Sequence, residues 1–139
     1  MKIVLDTNIY IAVALHGEFA ENIIEMVTTR SSGIMLIISK EILLELQQKL
    51  KEKFNWLKED IDLFMTKIRN IAEVVEVNIK VDILKRDPED NKILECAVCG
   101  QADLIVTADQ DLIKLKNFQG IGIVHPKTLS WTFPEYFKK

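Results

Sequence analysis

The fold of this chain is decided by Met1-Lys-Ile-Val-Leu-Asp6-Thr7-Asn8-Ile-Tyr10. Ile3, Val4 and Leu5 form an apolar run without polar alternation, the pattern of a strand covered on both faces. The run stops at Asp6, and helical spacing begins at Ile9. A carboxylate at the end of a buried strand is costly unless something binds it. Asp6, Thr7 and Asn8 are also good N-cap residues, so this stretch alone leaves both cap and ligand open.

With 139 residues, 48% apolar and 28% charged, the chain is expected to form one domain over residues 1–139. No apolar run approaches the roughly 20 residues of a membrane span. The first run meets a charge too soon for a signal peptide, so no membrane and a cytoplasmic location are expected. A net charge of −3 does not advertise a nucleic-acid partner. Carboxylates gathered around metal ions would themselves make the balance acidic. Cys96 and Cys99 form a lone C-x-x-C at the end of a helical stretch, without further zinc ligands or a helix N-terminus to activate a thiolate. They read as reduced structural thiols.

Along the chain, helical spacing covers 8–15, then a stretch from Phe19 to about Arg30, before a second apolar strand at Ile34–Ile38. Ser39 caps a helix to about Lys53 whose stripe is Ile42, Leu43, Leu46, Leu50 and Phe54. At about 100° per residue Glu45 borders that stripe and Glu41 points nearly opposite, as an ordinary surface residue in a first turn. A helix over 57–71 and an edge strand over 73–77 follow, then a loop or broken helix over 78–86. Asp87 with Pro88 signals the start of a helix to Cys99. Asp90 falls near the middle of its buried stripe, which capping alone does not explain. Leu104–Val106 is a fourth strand ending in Thr107-Ala108-Asp109, where Asp109 is again cap or ligand for a short helix over 110–116. A fifth strand at Ile121–Val124, a helix near 126–131 and an aromatic tail close the chain.

Apolar strands alternating with helices indicate a three-layer α/β/α domain with a mainly parallel, about five-stranded sheet. Ligands of such sheets bind at the carboxyl edge, where the strand order reverses. Asp6 and Asp109 belong at that edge, and Asp90 and Glu45 lie on helices directed to it. Gathered carboxylates raise one another's pKa unless a cation intervenes. An all-oxygen site favours Mg²⁺ or Mn²⁺ over zinc. Two such ions about 3.5–4 Å apart serve phosphodiester cleavage, so a metal-dependent nuclease is the expectation.

Four landmarks in order carry a family resemblance: Leu5-Asp6-Thr7-Asn8; Ser39-Lys-Glu-Ile-Leu-Leu-Glu45-Leu46; Arg86-Asp-Pro-Glu-Asp90-Asn-Lys-Ile-Leu94; and Ala102-Asp-Leu-Ile-Val-Thr107-Ala-Asp109-Gln-Asp111-Leu112. Over nearly its whole length the chain resembles PIN-domain ribonucleases, in particular the prokaryotic branch of toxins from toxin–antitoxin pairs. The resemblance implies metal ligands at Asp6, Glu45, Asp90 and Asp109. It gives Thr7, Asn8 and Thr107 the task of orienting them. Asp111 is an additional or water-mediated ligand candidate, and Asp87 competes with Asp90. The implied reaction is hydrolysis of single-stranded RNA by metal-activated water, leaving a 5′-phosphate and a 3′-hydroxyl. Lys40, Lys85, Arg86, Lys92 and Lys114 lie near these acids in sequence and are candidate phosphate contacts. A homodimer and a small antitoxin protein are the implied partners.

Two other readings compete. A haloacid-dehalogenase-type phosphatase would need a second aspartate two residues after the first, where this chain has Asn8. A catalytically silent PIN-like RNA-binding or scaffold module is weakened by the presence of all four acids.

Overall fold

The computed structural model describes residues 1–84 and 88–137. Its strands are β1 (Lys2–Leu5), β2 (Met35–Ser39), β3 (Ala72–Val75), β4 (Leu104–Val106), β5 (Asn117–Phe118) and β6 (Ile121–Val124). They form one sheet in the order β3-β2-β1-β4-β6-β5, parallel throughout except for β5, which pairs antiparallel with β6. Helices α1 (Thr7–Ala14), α2 (Glu18–Thr28), α3 (Lys40–Glu52), α4 (Lys58–Ile71), α5 (Asn91–Cys99), α6 (Gln110–Ile113) and α7 (Pro126–Thr132) flank it.

The opening apolar run becomes the centre of the sheet. Ile3, Val4 and Leu5 are wholly buried between β2 and β4, as a run without polar alternation requires. The direction of travel along the sheet reverses at β1, so the crevice between the ends of β1 and β4 is the switch point. Four turns at that edge carry side-chain caps, one of them His125, whose Nδ1 accepts from Lys127 N–H at the start of α7. Asp6 accepts from Asn8 N–H at the start of α1, and Ser39 Oγ from Ile42 N–H at the start of α3. Asp109 accepts from Asp111 and Leu112 N–H at the start of α6.

Some elements differ from the sequence expectation. The sheet gains a sixth strand, the two-residue β5, because Gly120 adopts φ +83° and turns a short hairpin onto β6. Helix α6 stops at Ile113, shorter than the stretch to 116. The helix expected from Asp87 begins as a 3₁₀ turn at Pro88–Asp90 and becomes α-helical only at Asn91. The proposed cap Asp87, with Lys85 and Arg86, lies outside the described residues. In the tail, Phe133, Tyr136 and Phe137 pack against the core, with the Phe137 ring 4.8 Å from that of Phe19. Both cysteines are free, and burial pushes the Cys96 thiol up to about 12, so it is inert at neutral pH.

Helix α5 packs closely on the sheet because Gly100 ends it. A Cβ there would lie 2.5 Å from Ile37 Cγ2 and 3.1 Å from the Cys96 carbonyl oxygen. Gly100→Ala is therefore expected to cost about 2 kcal/mol through overpacking, lowering the thermal midpoint by roughly 6 °C. An unchanged midpoint in calorimetry would mean that α5 lifts off the sheet without penalty. Tyr10 is wholly buried, and its hydroxyl has no hydrogen-bond partner among the described residues. Tyr10→Phe is expected to raise stability by about 1 kcal/mol, since it removes an unsatisfied buried group. A loss of stability in the same measurement would point to a partner for that hydroxyl.

Candidate active site

The site is built outward from Thr107, the wholly buried residue that follows β4. Its hydroxyl donates to Asp6 Oδ2 at 2.6 Å and accepts from the Asp109 backbone N–H at 3.0 Å. One side chain thus ties the acid after β1 to the acid after β4. Parallel pairing of these strands continues into the site, where Asp6 N–H donates to the Val106 carbonyl at 3.0 Å. Asp6 is only 6% exposed, and this burial pushes its carboxyl above the ordinary aspartate range. The Thr107 hydroxyl and the Asn8 N–H pull it down, the charge on Asp109 raises it further, and Lys49 opposes that rise. Asp109 is half-buried, with Oδ1 held by Asp111 and Leu112 N–H at 2.9 and 3.1 Å.

Glu45 reaches the same edge from the second turn of α3. Its Oε1 accepts from Thr7 Oγ1 at 3.1 Å, which ties it to the residue beside Asp6. Its Oε2 lies 3.2 Å from Lys49 Nζ, one helical turn further on, and that ammonium also lies 3.4 Å from Asn8 Oδ1. Asn8 therefore offers its backbone to Asp6 and its side-chain oxygen to Lys49.

Asp90 is 8% exposed at the last position of the 3₁₀ turn that leads into α5. Helix α5, into which this turn leads, packs against α3, and Lys92 in its first turn feels the charges of Glu45 and Glu41 while its Nζ lies 2.6 Å from Glu89 Oε2. Glu41 corrects the sequence reading. It is half-buried, its Oε1 is enclosed without a hydrogen-bond partner among the described residues, and its charge reaches Cys96. Angular position on α3 alone could not reveal this, since α5 covers a flank that the apolar stripe leaves out.

The basic candidates divide. Lys92 lies between Glu89 and the acids of α3, whereas Lys40 is exposed and 3.3 Å from Glu76 Oε1, towards the β3 side. Lys114 is exposed just after α6. Asp111 is half-buried in the first turn of α6. Lys49 was missed by the sequence reading, although its i,i+4 spacing from Glu45 was visible.

In kind, these donors suit a hard divalent cation, since all are carboxylate or hydroxyl oxygens. Asp6 and Asp109 are linked through Thr107 and lie close enough for their charges to interact, and Glu45 is tied by Thr7 to the residue beside Asp6. As the side chains stand, no three Asp, Glu, His or Cys groups among the described residues are gathered closely enough to hold one ion. Glu45 is turned to Lys49 instead. Beside Asp6 and Asp109 opens a cavity of about 360 Å³ with Ile9, Phe19, Ile23 and Pro126 among its walls.

Comparison with known proteins agrees with this architecture. In the solved structures, the chain is similar to VapBC2 from Rickettsia felis bound to a DNA fragment from their promoter. The match has a TM-score of 0.66 and 18% identity, and covers 90% of this chain and 98% of that one. At that identity the likeness speaks to the fold. No curated protein matches the chain. A family model described as PIN domain matches residues 2–111, which takes in β1 through the first turn of α6 and with them Asp6, Glu45, Asp90, Asp109 and Asp111. The chain belongs to the PIN domain family.

Proposed function

We propose that this protein is a Mg²⁺- or Mn²⁺-dependent endoribonuclease that hydrolyses single-stranded RNA, and that it is the toxin of a toxin–antitoxin pair in the cytoplasm. The observation that carries the reading is the Thr107 bridge, which holds two acids from separate strands at the switch point of the sheet. Stabilising an N-cap does not require a second acid nearby that raises the buried Asp6 carboxyl still further.

Asp6, Glu45, Asp90 and Asp109 would hold the metal, with Asp111 as a fifth candidate. When bound, the ion supplies Lewis-acid polarisation of a phosphoryl oxygen and a nucleophile at neutral pH. The protein does the positioning. Thr107 fixes the Asp6 carboxylate and the Asp109 backbone in one orientation, and Thr7 restrains Glu45. Lys92 and Lys114 are assigned to the phosphates of the strand, with Lys85 and Arg86 as further candidates. Lys40 has the weakest support, since its ammonium is directed to Glu76.

A protein partner is supported by the likeness to VapBC2 and by exposed apolar side chains on α4 and at its N-cap. Leu57 and Leu63 are 65% and 72% exposed, beside a groove that includes Trp56 and Phe64. An antitoxin and a second copy of the chain, forming the expected homodimer, are both part of the proposal. Size-exclusion chromatography with light scattering on the protein alone separates them.

One observation favours the silent RNA-binding reading: no three acids among the described residues are gathered into a ready-made cage. Incubating labelled single-stranded RNA with the protein in Mn²⁺, Mg²⁺ or EDTA decides between the two. Cleavage in the metal lanes that leaves a 5′-phosphate is expected. Binding without cleavage would select the silent module, and equal cleavage in EDTA would reject the mechanism.

A further inference from the structure

We propose that Lys49 is a tethered counter-cation of the acidic site: it neutralises the carboxylates while no metal is bound and thereby weakens metal binding. This rests on the reading of Asp6, Glu45, Asp90 and Asp109 as metal ligands.

The case begins with where the ammonium lies. Lysine on a helix flank ordinarily keeps its charge in water, because dehydrating it and freezing its four-carbon stem both cost free energy. The Lys40–Glu76 and Lys58–Asp62 pairs follow that rule and are exposed on both sides. Lys49 does not. Its side chain is 25% exposed, that of Glu45 14%, and Nζ lies 3.2 Å from Glu45 Oε2 and 3.4 Å from Asn8 Oδ1. The ammonium acts on Asp6 as well, drawing its raised carboxyl back down. A single positive charge is thus shared by an acid of α3, the amide of α1 and the acid that follows β1.

Both oxygens of Glu45 are engaged in this arrangement, one by Thr7 and the other by Lys49. The carboxylate cannot turn fully to a dication near Asp6 while it keeps the lysine. A divalent ion brought to Asp6 and Asp109 also meets the repulsion of an ammonium held in a partly dehydrated place, where charges are poorly screened. The metal must therefore displace Lys49, and the affinity measured is the intrinsic one reduced by that displacement. The same lysine offsets the negative charges of Glu45 and Asp6 at this edge of the sheet when metal is scarce.

Lys49→Met keeps most of the apolar stem and removes the charge, whereas Lys49→Arg keeps the charge. Mn²⁺ binding by titration calorimetry and thermal unfolding in EDTA are measured on the full chain for wild type, both variants and Asp6→Asn. In Lys49→Met, Mn²⁺ affinity is expected to rise about tenfold or more, while the midpoint in EDTA falls by about 3 °C. Lys49→Arg is expected to stay near wild type in both. A lysine that merely supports the fold would lower midpoint and affinity together. Saturable wild-type binding that Asp6→Asn abolishes, but that Lys49→Met leaves unchanged or weakens, overturns the proposal alone. If wild type shows no saturable binding, or Asp6→Asn leaves it intact, the metal-site reading falls and takes the proposal with it.

Discussion

Asp6→Asn is expected to lower metal-dependent RNA cleavage by about a thousandfold or more, and at the same time to raise the thermal midpoint of the metal-free protein by about 3 °C. The two effects share a cause. Asp6 is buried at the end of β1, with Asp109 near enough to raise its carboxyl further, so its negative charge is a liability until a cation arrives. Asparagine keeps the capping oxygen for Asn8 N–H and loses the charge. The direction of the pH dependence follows. A folded-state pKa above that of the unfolded chain means that the native state holds more protons across the window between the two values. Metal-free stability therefore rises as pH falls through the raised Asp6 value, and the ionised group subtracts from it at neutral pH. Metal binding is expected to show the opposite trend, weakening on acidification from a higher pH than an ordinary aspartate would set. Melting curves in EDTA across the acidic range check the first statement. An Asp6→Asn variant less stable than wild type at neutral pH would contradict it.

Thr107→Val is expected to reduce cleavage by about 10- to 100-fold, the range found when a residue that orients metal ligands is lost. Valine fills nearly the same space, so packing between β4 and β6 should survive. The hydroxyl that donates to Asp6 and accepts from Asp109 N–H is gone. Thr107→Ser retains the hydroxyl and is expected to recover most of the activity. Kinetics of the three proteins under saturating Mn²⁺ separate orientation from packing. Equal loss in the serine and valine variants would assign Thr107 to the core rather than to the site.

How far the sequence could be read depended on whether a feature is local. The runs Ile3–Leu5, Ile34–Ile38 and Leu104–Val106 announce strands because each residue is apolar without polar alternation, and these three, with Ile121–Val124, are strands within a residue of the expected bounds. The carboxylates at the ends of β1 and β4 were legible for the same reason, since a charge that stops a buried run marks the end of a strand. The two-residue β5 has no such pattern, and the positive φ of Gln119 and Gly120 with its pairing to β6 define it. Glu41 and Lys49 were not legible because helix periodicity assumes one buried face. Helix α3 is contacted by α1, α4 and α5 as well as by β2, so flanks outside its stripe are covered too. Lys40 shows the converse: proximity in sequence to Glu45 does not bring its ammonium to the acids.

Diffraction from crystals soaked in Mn²⁺, with the anomalous signal used to locate the ion, tests the central claim most directly. An anomalous peak within coordination distance of the Asp6 and Asp109 carboxylates, with Glu45 turned towards it and Lys49 Nζ moved away from its present 3.2 Å contact, is the expected result. Full Mn²⁺ occupancy elsewhere on the molecule, with the Thr107 bridge and these acids undisturbed, would contradict it.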